Sequence, residues 1–188
     1  HETYPPVRLN LINCITTDTL QLLKNGKSYN AVLNLPVDDN AFTLASTVMP
    51  VQDTFVANQS YKTLSESVQP LRSMHDYPLL MLDANTVTRK AIINFSHSIG
   101  VHLHPEVECG SLELMVRLAQ SGVGIACVPR EYVRRELEEG SLIEIKTDPQ
   151  LPARGVGIAF PKNVAPSFAV REFFKLFNEE GETAPASK

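Results

Sequence analysis

Three places along the chain set a hydroxyl or amide side chain at the predicted start of a helix: Thr16 and Thr17, Asn85 and Thr86, and Ser111. A helix start carries backbone N–H groups with no intrahelical partner, together with the positive end of the helix dipole. A small anion placed there gains about 0.3–1 kcal/mol per helix end, and more when partly buried. If the three starts face one hollow, they form an anion receptor made without charged side chains. Thr88 and Arg89 lie one turn into the second of these helices and extend it. A capping residue ordinarily satisfies its own helix and nothing else, so one such start alone carries little. Three at equivalent strand ends carry more.

Catalytic motifs are missing. Ser111 follows Cys109-Gly110 and lacks the G-x-S-x-G elbow of hydrolases. Cys109 has no histidine partner by motif. The pair Gly122 and Gly124 precedes a strand, whereas a dinucleotide fingerprint follows one and opens a helix. No glycine-rich phosphate loop ends in Lys-Ser or Lys-Thr, so no cofactor is expected. His102 and His104 alternate beside Glu106 and Glu108, a pattern that strand geometry places on one face. A solvated strand edge is the simpler reading, and no metal is expected. Cys14, Cys109 and Cys127 are odd in number, widely spaced and set among apolar residues, as reduced, buried thiols of a cytosolic protein would be.

These residues need elements to position them, and one β-α-β pattern occurs three times. Residues 7–13 (VRLNLIN) alternate like a strand. Thr16, Thr17 and Asp18 then cap a helix carrying Leu20, Leu22 and Leu23, Gly26 stops it, and residues 31–35 form the next strand. Residues 78–83 (PLLMLD) are a strand, after which Asn85-Thr86 caps a helix with Ile92, Ile93, Phe95 and Ile99, ended by Gly100. Val107 and Cys109 end a third strand. Ser111 caps a helix whose Leu112, Met115, Val116 and Ala119 make an apolar face, Gly122 stops it, and residues 125–128 form a short apolar run suited to a buried parallel strand. Pro129 opens a surface helix stopped by Gly140, with Arg134 and Arg135 four residues before Glu138 and Glu139. Residues 42–48 and 54–58 have β character, and 58–76 read as a crossing segment. Residues 155–160 are an apolar strand, followed by a Ser167-capped helix with Phe168, Phe173, Phe174 and Phe177. The tail from 181 to 188 reads as frayed.

The pattern predicts an α/β fold of two lobes joined by two crossings, near Asn58 and Val156. Residues 1–57 with 158–188 form one lobe and 58–157 the other, with a small-molecule site in the cleft between them. The 188 residues are 43% hydrophobic and 20% charged, with net charge −4 and scattered basic residues. That balance speaks against nucleic-acid binding by this chain. No apolar run approaches the ~20 residues of a membrane span.

The chain resembles the effector-binding domain of LysR-type transcriptional regulators. The strongest match is SLELMVRLAQSGVGIACVPREYV, residues 111–133, which is similar to the family's helix, its V-x-x-G-x-G-I-x-x-x-P turn and strand, and the helix beyond. YPPVRLNLINCITTDTLQLLKNG, residues 4–26, resembles its YP-x-V start and capped helix. PLLMLDANTVTRKAI, residues 78–92, resembles the strand and Thr-Arg helix start of its second lobe. The resemblance implies a type 2 periplasmic-binding-protein-like fold of two Rossmann-like lobes and a small metabolite effector, commonly an organic acid. Thr16, Asn85, Thr86, Thr88 and Ser111 would contact that effector, with Thr17 beside them. It further implies a cytoplasmic homodimer or tetramer, without catalysis or membrane contact, that meets DNA only through a winged helix-turn-helix domain absent here. The strand and helix that the family places before its YP motif are also missing. The alternatives sharing this lobe plan are a transporter's solute-binding protein and an enzyme.

Overall fold

A computed structural model describes residues 3–37, 42–162 and 164–181. In chain order the elements are α1 (Thr16–Lys24), β1 (Ala31–Asn34), β2 (Phe42–Val51), β3 (Asp53–Ala57), α2 (Lys62–Ser65), β4 (Gln69–Pro70), β5 (Leu79–Leu82), α3 (Val87–Ser98), β6 (Val107–Cys109), α4 (Leu112–Gln120), β7 (Ile125–Pro129), α5 (Arg134–Glu138), β8 (Ile143–Ile145), β9 (Thr147–Asp148), β10 (Arg154–Pro161) and α6 (Phe168–Gly181). Short 3-10 turns at Gln59–Tyr61 and Leu71–Asp76 fill the crossing segment expected over 58–76.

The chain divides into two compact units: Pro50–Arg154, and the flanking stretches up to Met49 and from Gly155 on. The first crossing therefore falls earlier than expected. β3 runs antiparallel to β7 and β8, Phe55 facing Cys127 and Ile145, and so belongs to the central unit rather than the flanking one.

In the central unit the sheet order is β6-β5-β7-β3-β8. β5 lies parallel to both β6 and β7, with Leu80 opposite Val107 on one side and Ala126 on the other. Alternation along the strands splits the core into two layers. Phe55, Leu79, Met81, Ile125 and Cys127 pack with Ile92 of α3 on one face. Val56, Leu80, Ala126 and Val128 pack with Met115, Val116 and Ala119 of α4 on the other. Each fully buried Leu or Ile contributes about 1.5–3 kcal/mol. The α3 connection leaves β5 towards β6 on one face, and the α4 connection returns past β5 to β7 on the other. Such a reversal marks a crevice at the C-terminal strand ends.

The flanking unit is smaller, with sheet order β1-β10-β2. β1 pairs antiparallel with β10, Leu33 opposite Gly157. Leu23, Leu33, Phe42 and Ala159 form its core. The strand expected over residues 7–13 does not form: the stretch is irregular, with Leu9 74% and Leu11 92% exposed. Its alternation fits a strand template, yet no described strand hydrogen-bonds to it. Ser167 caps α6 as expected, its Oγ accepting from Val170 N–H at 3.3 Å. The side chain of Phe177 and the tail from 182 on lie outside the described residues. No described helix is long and apolar enough to cross a membrane.

The cysteines correct another expectation. All three are free, but Cys14 is exposed, Cys109 half-buried and only Cys127 buried. Burial pushes the Cys127 thiol well up, with the nearby Asp53 carboxylate adding to it, while Arg154 and Arg89 pull it down. A maleimide under native conditions is therefore expected to label Cys14 first and to leave Cys127 untouched until the chain unfolds. Peptide mass spectrometry over a labelling time course checks this. Early modification of Cys127 would contradict the packing.

Candidate functional site

The ends of β5 and β6 bring two of the expected helix starts side by side. Leu82 pairs with Cys109 as the strands finish, and Asp83 N–H donates to the Cys109 carbonyl at 3.3 Å. The loops beyond touch, since a Cβ on Gly110 would come within 3.1 Å of Asp83 Oδ2. From these adjoining loops rise α3 and α4.

Thr86 is the N-cap of α3. Its Oγ accepts from Arg89 N–H at 3.2 Å and donates to the Asp83 carbonyl at 2.8 Å. Ser111 is the N-cap of α4, its Oγ accepting from Leu114 N–H at 3.3 Å. Both caps are extended residues, as capping geometry requires. The N–H groups of Val87, Thr88, Leu112 and Glu113 precede the first intrahelical bonds and point out of the helix starts. Thr86→Ala and Ser111→Ala are each expected to cost about 1 kcal/mol through the lost cap. Urea denaturation measures it, and unchanged midpoints in both variants would contradict the capping geometry.

Asn85 is exposed in the turn before Thr86, whereas Thr88 is buried. The third start differs from expectation. The N-cap of α1 is Ile15, extended and without a side-chain bond, so Thr16 and Thr17 occupy the first helical turn instead of capping it. The cap is set by backbone dihedrals, and the chain is already helical at the first threonine. Thr16 is half-buried and Thr17 exposed, both in the flanking unit. Asp18 already places a carboxylate in that turn, which weakens it as an anion site.

Arg89 emerges as the charged group of the α3 start. It shares a buried stripe with Ile92 and Ser96, three and seven residues on, and is 7% exposed. That spacing was the sequence signal for its burial. Its Nη2 stands 3.7 Å from Glu108 Oε1 on β6, and its Nε and Nη1 have no hydrogen-bond partner among the described residues. Burial holds its pKa below the usual arginine value, partly offset by Glu108 and Cys127. Unpaired buried donors of this kind cost about 1–3 kcal/mol. Burial also raises the Cys109 thiol, whose Sγ donates a weak bond to the Ser111 carbonyl while Asp83 adds to the rise.

His102 and His104 precede β6 rather than lying in it, and His97 meets His102 with ring centroids 4.9 Å apart and planes tilted by 52°. Among the described residues no three His, Cys, Asp or Glu side chains are placed to hold a metal ion.

Comparison with known proteins gives the family and the fold. Residues 1–182 match the family model described as the LysR substrate binding domain. A curated relative from Escherichia coli (strain K12), the LysR family substrate binding domain-containing protein YagP, is 32% identical over 83 residues, or 42% of this chain. The match spans 60% of that relative's length. Among solved structures, the regulatory domain of Synechocystis PCC6803 CcmR in complex with 2-PG superposes with a TM-score of 0.88 at 17% identity, covering 98% of this chain and 88% of that one. The effector binding domain of QuiR in complex with shikimate gives 0.83 at 16% identity, with 98% and 87% covered.

Proposed function

The chain belongs to the LysR substrate binding domain family, a non-enzymatic family of type 2 periplasmic-binding-protein-like fold, and we propose that it senses a small anionic metabolite. The effector sits at the strand edge where α3 and α4 begin, contacting Asn85, Thr86, Thr88 and Ser111. The observation that carries this reading is the adjacency of two hydroxyl-capped helix starts at the ends of paired strands, with a buried arginine in the first turn of one. Two such starts aimed at one anion supply donors and positive potential without large rearrangement.

The ligands of the structural relatives fit the same chemistry, since shikimate is a carboxylate and CcmR holds 2-PG. Binding shifts a pre-existing equilibrium between arrangements of a cytoplasmic homodimer or tetramer. That shift alters DNA binding by a winged helix-turn-helix domain of the full regulator. Thermal denaturation with 2-PG, shikimate and related small acids tests this. A ligand at about 100-fold its Kd is expected to add about 2.7 kcal/mol of stability, saturably and without turnover. The absence of any saturable shift across the acids would overturn it.

A further inference from the structure

The effector reading includes a buried arginine in the first turn of α3 but assigns it no contact. Arg89 is nine-tenths buried, its Nε and Nη1 lack partners among the described residues, and its Nη2 meets Glu108 only at ion-pair distance. We propose that Arg89 is the charged recognition residue of the α3–α4 strand edge, and that Glu108 occupies its terminal edge until an effector carboxylate or phosphate displaces it. This rests on the effector-binding reading above and names the group that makes the site select anions.

The geometry favours it in three ways. Arg89 is the third residue of α3, so its buried side chain belongs to the same first turn as the free N–H groups of Val87 and Thr88. A guanidinium presents a rigid fork of donors, and Nη1 with Nη2 forms the edge that a carboxylate or phosphate grips with two oxygens. At 3.7 Å, Glu108 is beyond hydrogen-bond length and its side chain is 46% exposed, so it can swing to water at little cost. A structural ion pair would instead be forked and enclosed. The chain contains one for comparison: Arg154 grips Asp53 through Nε at 2.6 Å and Nη2 at 3.0 Å, with both side chains buried.

Glu108→Gln keeps the size of the side chain and removes the competing charge. It is expected to tighten anion binding at least threefold, an effect that a purely structural Arg89 would not produce. Arg89→Gln is expected to weaken binding more than tenfold, and Arg89→Lys, which keeps charge without the fork, falls between them. Isothermal titration with 2-PG, shikimate and inorganic phosphate as probes reads these changes, with circular dichroism confirming the fold of each variant. If wild type binds a probe and both Arg89→Gln and Glu108→Gln match it, the inference is overturned while the effector reading stands. If wild type binds none of the probes, both fall. Should Arg89→Gln fail to fold, Glu108→Gln decides alone: tighter binding supports the assignment and unchanged binding overturns it.

Discussion

Gly124→Ala is expected to destabilise the central unit by about 3 kcal/mol or more. A Cβ at this position would stand 2.2 Å from the Pro78 carbonyl oxygen and 3.0 Å from Leu80 Cδ1. The first of these is backbone and cannot rotate away. That carbonyl also accepts the Ile125 N–H bond, at 2.8 Å, that opens the pairing of β5 with β7. Accommodating one methyl group therefore means prising apart two central strands whose Leu79, Leu80, Ile125 and Ala126 are fully buried. Gly140→Ala is the control. Its φ of +74° costs an alanine about 1–2 kcal/mol, but no heavy atom lies within 4 Å of the added Cβ. Urea denaturation separates the two. A Gly124→Ala loss no larger than that of Gly140→Ala would contradict the strand contact.

Breaking the Asp53–Arg154 pair is expected to cost a similar or larger amount. Asp53 is 2% exposed and the Arg154 side chain 7%, joined by the two short bonds of a side-on fork. Removing one partner leaves the other charge buried, which typically costs about 3–5 kcal/mol. Arg154→Met and Asp53→Leu should each lower the midpoint by about 10 °C, from the usual 2–4 °C per kcal/mol for a domain of this size. The double variant Asp53→Leu with Arg154→Met should recover much of the loss, because neither buried charge is then left without the other. A double-mutant cycle by thermal denaturation measures the coupling. Additive losses in the double variant would show that the two side chains do not act as a pair.

The central unit was readable from sequence because its signals are local. Residues 125–128 are uninterrupted apolar residues, as a strand covered on both faces requires, and Gly122 has the positive φ, +85°, that stopping α4 demands. Ser111 and Thr86 could be read as caps because a hydroxyl just before an apolar helix face has few other uses. The misreadings were questions of partnership. Residues 7–13 alternate properly, but a strand needs a neighbour, and alternation says nothing about one. Residues 54–57 were correctly extended, yet only the register of β3 against β7 and β8 reveals which unit owns them. Thr16 and Thr17 failed as caps because two hydroxyls in a row do not say where the backbone turns. Arg89 was visible as a neighbour of Thr88, but its lack of hydrogen-bond partners is a property of the packed molecule.

Amide chemical-shift mapping of the 15N-labelled chain during titration with a small carboxylate or phosphate tests the central claim most directly. Saturable shifts should concentrate on the N–H groups of Val87, Thr88, Leu112 and Glu113 and on the Arg89 side chain. Shifts scattered over the surface, or absent from the starts of α3 and α4 while the anion binds elsewhere, would contradict it.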